Sequence, residues 1–323
     1  MTVSTIILAA GKGTRMKSPT PKVLHKIAGQ HLIAYSVDAA KAIKSKEIIV
    51  VVSIENEQGT KTALSDRQLK FCSQKSQLGT GDAVKVALEG SKIKSKYTLI
   101  LYGDTPFIKN NTIKKMISKA ERGFEFIFLG FHAQTKNNYG KFKLGPKETL
   151  IDIIEKSEPE YNLPGTLSNS GIVLAKTKIL SDLIQKIKND NAKKEFYLTD
   201  IVKIATQKGY SSTYVKCGED ECIGVNSQLE LSIAERKFQD DFRKKLMASG
   251  VSMTSPETCF FSHDTIIKSG CVIEPYIFFG TGVKIQSSTI IKSYSHIEGT
   301  HIGKNCQIGP FARLRPGTNL SGE

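Results

Sequence analysis

The sequence predicts an α/β protein: a mainly parallel-sheet domain, one long connector helix, and then the start of a repetitive β-structure. Three observations predict it. Short, continuously apolar, β-branched runs alternate with stretches of helical periodicity over the first two-thirds of the chain, the pattern of a parallel sheet covered on both faces. A glycine loop follows directly on the first of those runs. From Ile267 onward an apolar residue recurs every six positions.

Taken in order, Ser4–Ala9 is the first strand, and His31–Ala42 has helical spacing through Leu32, Ile33, Val37 and Ala40. Glu47–Ser53, Tyr97–Tyr102 and Glu125–Phe131 are further buried-strand runs. Helices are predicted over Thr80–Leu88, Thr112–Arg122, Lys178–Lys188 and Leu198–Gln207. Gln228–Ser249 lacks Gly and Pro and reads as one amphipathic helix with Leu229, Ile233, Phe238, Phe242 and Leu246 on its apolar side, closed by Gly250. Beyond it, Ile267, Ile273, Phe279, Ile285, Ile291 and Ile297 keep the six-residue rhythm, and Ile302, Ile308 and Leu314 resume it after one five-residue step. Neither a helix nor a plain strand holds that period. Short strands stacked as the faces of a triangular β-helix do. The expected domains are therefore 1–226, a connector over 227–250, and 251–323, which stops mid-repeat and reads as a truncated stack.

At 323 residues, with 39% hydrophobic and 24% charged residues, the chain has globular proportions. No apolar run approaches the length of a membrane span. The first apolar stretch, Ile6–Ala10, is too short for a signal peptide, so a cytoplasmic protein with no membrane partner is expected. Cys72, Cys217, Cys222, Cys259, Cys271 and Cys306 show no metal-binding spacing and are expected to be incidental thiols. The net charge is +15, but 39 Lys stand against 7 Arg, dispersed along the chain. That distribution describes a solvated surface and not a nucleic-acid interface, yet it would concentrate a small polyanionic substrate.

Three motifs can carry chemistry. In Leu8-Ala9-Ala10-Gly11-Lys12-Gly13-Thr14-Arg15-Met16 the glycines allow a close backbone approach to a phosphate, and Arg15 and Lys22 supply cations. The spacing matches neither a P-loop nor GxGxxG, and a plain tight turn also explains it. In Leu99-Ile100-Leu101-Tyr102-Gly103-Asp104 a strand delivers a carboxylate to its carboxyl end, where open α/β sheets bind ligands; Asp104 either holds Mg²⁺ or caps a turn. Gln77-Leu78-Gly79-Thr80-Gly81-Asp82-Ala83 is a second glycine turn entering a helix, and Gln74 upstream offers a donor and an acceptor to a nucleobase.

These stretches, with PKVLHKIAG, Asn138-Tyr139-Gly140, Ser168-Asn169-Ser170-Gly171, EFYLTD, Gly224-Val225-Asn226 and FARLRPG, resemble the bacterial bifunctional N-acetylglucosamine-1-phosphate uridylyltransferase/glucosamine-1-phosphate acetyltransferases along the whole chain. The resemblance implies a Rossmann-like nucleotidyltransferase domain followed by a left-handed β-helix. It implies transfer of UMP from UTP to N-acetylglucosamine 1-phosphate with release of pyrophosphate, and Mg²⁺ as cofactor. By the same resemblance, Leu8, Ala9, Ala10 and Gly11 meet uridine and its phosphates, with Arg15 and Lys22 as catalytic cations. Gln74, Gly79 and Thr80 lie at the uracil side, and Tyr102, Gly103 and Asp104 line the nucleotide. Gly140, Glu155 and Asn169 hold the amino sugar, and Asp104 and Asn226 hold the metal, although an Asn before a helix is ordinarily an N-cap. Asp82 departs from the His common in the family, and either repels a triphosphate or caps its helix. Of the acetyltransferase site only Arg315 is present, so that second activity is expected to be absent and the family's homotrimer to be weaker or lost. A sister nucleotidyltransferase for another sugar 1-phosphate, or a non-catalytic nucleotide-sugar-binding scaffold, shares the same loop residues.

Overall fold

Residues 1–134, 138–156, 161, 166–191 and 193–322 are described by the computed structural model. They form two compact units, one of residues 1–25 and 32–226 and the other of residues 26–31 and 227–323. The boundary at 226 is thus interrupted by a hairpin that the sequence reading assigned to the first domain.

In chain order the strands are β1 (Val3–Leu8), the hairpin β2 (Lys26–Ile27) and β3 (Gln30–His31), β4 (Ile48–Ser53), β5 (Lys70–Gln74), β6 (Tyr97–Tyr102), β7 (Phe126–Phe131), β8 (Lys141–Leu144), β9 (Leu150–Ile154), β10 (Ser168–Lys176) and β11 (Ser212–Cys217). The helices are α1 (Leu32–Ala42), α2 (Glu57–Ala63), α3 (Thr80–Ser91), α4 (Asn110–Glu121), α5 (Thr177–Ile184), α6 (Ile201–Gln207) and α7 (Gln228–Ala248). The first unit is built on a sheet of order β11-β7-β10-β6-β1-β4-β5. The predicted buried strands β1, β4, β6 and β7 are buried along almost their whole length, because helices cover both faces of the sheet. From β1 the chain first builds outward through β4 and β5, then returns to place β6 on the other side of β1. The crevice beyond the carboxyl ends of β1 and β6 is therefore a topological switch point.

The strands absent from the sequence reading are the less uniformly apolar ones. β10 runs antiparallel between β6 and β7, with a register shift between Asn169 and Val173. Gly171 lies in this irregularity with φ +84°. The β8–β9 ribbon is also antiparallel and joins the sheet through β10.

In the second unit the six-residue rhythm becomes three parallel ladders. One joins Ser252–Met253, Val272–Ile273, Ile290–Ile291 and Gln307–Ile308. The second joins Ile266–Ile267, Lys284–Ile285, His301–Ile302 and Asn319–Leu320, and the third Phe278–Phe279, His296–Ile297 and Arg313–Leu314. The hexad residues Ile267 to Ile308 are all buried along the axis, and Leu314 is partly buried. Phe261 stacks on Phe279 with ring centroids 5.0 Å apart.

Helix α7 belongs to this unit, and its buried side differs from the predicted apolar stripe. Leu229 and Ile233 are exposed, whereas Gln239 and Arg243 are buried with Ala234 and Leu246. The polar pair is buried because it satisfies backbone that the strands leave open. Gln239 donates to the Phe261 carbonyl at 2.7 Å and accepts from the Phe261 N–H at 2.9 Å; Arg243 donates to the carbonyls of Cys259 and Glu257. The helix ends in a Schellman arrangement, with Gly250 N–H on the Met247 carbonyl and Val251 N–H on that of Leu246. The β2–β3 hairpin joins the same unit through Ala28, whose N–H donates to Glu235 at 2.7 Å and whose carbonyl accepts from the Ser262 hydroxyl at 3.0 Å.

Truncating a ring on the β-helix axis leaves a cavity that stacked backbone cannot close. Phe279→Ala is expected to destabilise the second unit by about 3–5 kcal/mol, read by denaturant unfolding. A loss below about 1 kcal/mol would mean that the axis repacks.

Candidate active site

The carboxyl ends of β1 and β6 open into a cleft of about 600 Å³ in the first unit. Leu8, Ala9, Ala10, Gly11, Arg15, Lys22, Gln74, Gly79, Thr80, Tyr102, Asp104 and Asn226 all line it. Twelve residues expected at a nucleotide site thus share one cavity.

The loop after β1 turns sharply because Gly13 adopts φ +63°. A Cβ at Gly13 would lie 2.7 Å from Cβ of Lys22, so the glycine also lets the lysine approach the loop. Met16 is buried beneath a short 3₁₀ turn, while Arg15 is exposed. Two side chains brace the preceding backbone: Asn56 donates to the Ala9 carbonyl at 2.7 Å, and Gln77 to the Ala10 carbonyl at 2.9 Å.

Lys22 does more than supply charge. Its ammonium forms an ion pair with the Asp104 carboxylate and also donates to Asn226 Oδ1 at 3.1 Å. A carboxylate and an amide oxygen from remote parts of the unit's sequence therefore converge on one ammonium. Asn226 is available for this because Ser227 caps α7, its hydroxyl accepting from the Glu230 N–H. The N-cap reading of Asn226 is thereby replaced. Asp104 is likewise held by the fold, its carbonyl accepting from the Val225 N–H at 2.9 Å. Among the described residues no group of three His, Cys, Asp or Glu side chains gathers to hold a metal ion. One carboxylate and one amide oxygen around a single cation nevertheless suit a hard divalent ion that takes its remaining ligands from phosphates and water.

Asp82 neither caps α3 nor stands alone. The N-cap is Gly79, and Asp82 accepts from the Gln74 side-chain nitrogen at 2.7 Å. The same nitrogen donates to the Gly79 carbonyl at 3.2 Å, so Gln74 is left with its amide oxygen to offer a ligand. Gly79 has φ +110°, and a Cβ there would meet the Phe196 carbonyl at 2.6 Å. The glycine turn and the Glu195–Tyr197 strand-like segment bond to each other on both sides, Phe196 N–H to Leu78 carbonyl and Gly81 N–H to Phe196 carbonyl. That contact brings Glu195 and Tyr197 into the cleft wall, two residues that the sequence reading did not select although EFYLTD was among its motifs.

Tyr102 packs against Gly171, where any side chain would strike its ring. Burial, then the nearby Asp104 charge, push its phenol well above the ordinary range, so it remains a neutral donor. Four predicted residues of this unit lie off the cleft wall. The Gly103 N–H is tied to the Leu8 carbonyl at 2.9 Å beneath the loop. Gly140, Glu155 and Asn169 gather together: the Asn169 N–H donates to the Gly140 carbonyl at 2.7 Å, and a Cβ on Gly140 would meet the Glu155 carboxylate at 3.3 Å. Glu155 also accepts from the Thr199 hydroxyl at 3.0 Å. The fifth, Arg315, is an exposed residue of the second unit.

The sequence profile of the MobA-like NTP transferase domain matches residues 5–163. The bifunctional protein GlmU of Bartonella quintana is 39% identical over 320 residues, covering 98% of this chain and 71% of that relative. The GlmU of Wolbachia pipientis is 40% identical over 317 residues, covering 98% of this chain and 72% of its own. The chain belongs to the GlmU family. As in the motif resemblance, it is a nucleotidyltransferase of the uridylyltransferase kind. GlmU of Roseobacter denitrificans, 38% identical over 324 residues, extends the match to 99% of the chain. No helix among the described residues of this GlmU-family chain is long and apolar enough to cross a membrane.

Removing the Asp82 carboxylate frees one of the two bonds that orient Gln74. Asp82→Ala is expected to raise KM for the nucleotide about fivefold, the value of one lost hydrogen bond, with kcat within about twofold. Steady-state kinetics check this, and an unchanged KM would remove Gln74 from nucleotide binding.

Proposed function

We propose that this uridylyltransferase joins UTP to N-acetylglucosamine 1-phosphate, giving UDP-N-acetylglucosamine and pyrophosphate, with Mg²⁺ held by Asp104 and Asn226. The observation that carries the reading is the convergence of those two oxygens on one cation at the rim of the glycine-loop cleft. The product class suits supply of cell-wall and lipopolysaccharide precursors.

The nucleophile is a phosphate oxygen of the sugar phosphate, already anionic at neutral pH, so the reaction needs no general base. It forms a bond to the α-phosphorus of UTP in line with the departing pyrophosphate, whose bond breaks. When bound, Mg²⁺ neutralises phosphate charge and polarises the phosphoryl oxygens. Arg15 meets the charge that grows on the pyrophosphate. Lys22 exchanges its Asp104 partner for phosphate oxygens, while the loop from Gly11 to Thr14 lets the triphosphate approach backbone N–H groups. Gln74 offers its amide oxygen to the uracil N3–H, and the Gly140, Glu155 and Asn169 group holds the amino sugar. The chain is proposed to be a monomer or a weak, concentration-dependent homotrimer, with each nucleotide site complete in one chain.

Pyrophosphate release with UTP and Mg²⁺ tests the reaction. N-acetylglucosamine 1-phosphate should turn over well above glucose 1-phosphate; the reverse order would favour a sister enzyme. Asp104→Asn is expected to cut kcat by about 100-fold or more while the protein stays folded. Activity within a few-fold of wild type would remove Asp104 from the metal site. Arg15→Ala should depress kcat more than it raises KM for UTP, because its partner charge develops in the transition state. An effect confined to KM would make Arg15 a ground-state phosphate ligand.

A further inference from the structure

Six cysteines look scattered in the sequence, but the fold brings two of them into contact. Cys217 Sγ and Cys222 Sγ lie 3.2 Å apart, with no disulfide between them. Cys217 ends β11, where its backbone is held in register with Phe131, and the residue is only partly buried. Cys222 is buried at the end of the 3₁₀ turn Glu219–Cys222. Its thiol bonds to Cys217 and sits in an apolar surround, both of which hold it protonated above the ordinary thiol range.

The pair stands directly before the candidate metal ligand. Only Ile223, Gly224 and Val225 separate Cys222 from Asn226. Val225 N–H is bonded to the Asp104 carbonyl, and Asn226 Nδ2 donates to the Gly224 carbonyl at 3.2 Å. A displacement of Cys222 therefore has a short, hydrogen-bonded path to both residues that meet Lys22. Closing the sulfurs from contact to a disulfide bond requires about 1 Å of movement. The sheet holds Cys217, so the movement falls on the turn.

We propose that Cys217 and Cys222 form a modification site, in which a peroxide oxidises the pair to an intramolecular disulfide that displaces Asn226 and slows nucleotidyl transfer. Cys217, the less buried of the two, attacks one peroxide oxygen, breaking the O–O bond and giving a sulfenic acid and water or alcohol. Cys222 sulfur then attacks Cys217 sulfur; the S–O bond breaks, and hydroxide leaves with the Cys222 proton as water. The sum is two thiols and one peroxide to one disulfide and two molecules of water or one each of water and alcohol. A thiol reductant reverses it.

The effect on activity rests on the metal role proposed for Asn226, whereas disulfide formation does not. The full chain is treated with hydrogen peroxide, mapped by non-reducing peptide mass spectrometry, and assayed before and after dithiothreitol. The expected result is a 217–222 linked peptide, an activity loss of about 10- to 100-fold, and recovery on reduction. Cys217→Ser and Cys222→Ala should keep basal activity within about twofold and resist the reversible loss. Absence of the linked peptide overturns the site. A linked peptide without loss of activity, or equal reversible loss in both variants, overturns its coupling to catalysis. Asn226→Ala, assayed without oxidant, separates the two failures: full activity there means that the Asn226 role is at fault and not the dithiol.

Discussion

The ammonium of Lys22 between the Asp104 carboxylate and the Asn226 amide is the contact on which the first unit's cleft depends. The Lys22 and Asp104 side chains are largely withdrawn from solvent, so each carries a desolvation cost that the other, with Asn226, helps to offset. The arrangement demands that three remote segments arrive together: the loop after β1, the carboxyl end of β6, and the approach to α7. The sheet order provides it. Pairing β6 beside β1 sets Asp104 next to the glycine loop, and the Val225 N–H on the Asp104 carbonyl draws in Asn226. Charge placed this way is preorganised, which is the form of stabilisation that phosphoryl chemistry uses most directly.

Backbone clearance is the second constraint. Gly13 yields room to Lys22, Gly79 to the Phe196 carbonyl, and Gly171 to the ring of Tyr102. Each glycine sits at positive φ and also faces an atom closer than any Cβ allows. The segments around the cleft consequently approach one another most closely at glycines, while side-chain amides hold their orientation. Asn56 and Gln77 secure the loop carbonyls, and Asp82 secures Gln74. These braces touch no reacting atom, yet they decide which donors and acceptors face a nucleotide.

The second unit solves a different problem, since strands of two residues cannot bury themselves singly. Stacking places each hexad side chain over the one a full turn earlier, so the core grows by repetition and not by collapse. Its first turn needs a cover, and α7 supplies one through Gln239 and Arg243, which satisfy the backbone of Phe261 and Cys259. Burying an amide and a guanidinium costs more than burying leucines unless the donors find partners, and here the backbone provides them together with Glu235 and Asp240.

Periodicity and glycine placement determine much of this protein at the level of its sequence. The β-branched runs specify β1, β4, β6 and β7, because a strand buried on both faces has no polar alternation to disguise it. The six-residue rhythm specifies the stacked ladders for the same reason of direct correspondence between spacing and burial. The glycine loop with Arg15 and Lys22 is legible because its residues are neighbours both in sequence and in space, and Asp104 because it follows directly on an apolar strand. Tertiary structure alone decided the rest. The polar side of α7 looks solvent-facing until the Phe261 backbone is seen opposite it. Asp82 reads as a helix cap until Gln74 is brought beside it. The hairpin at residues 26–31 belongs to a unit that begins two hundred residues later, and Asn226 meets Asp104 and Lys22 only across the folded chain. Such contacts are set by long-range pairing of the sheet and by hydrogen bonds between remote backbone groups, and local sequence carries no record of which remote partner will arrive.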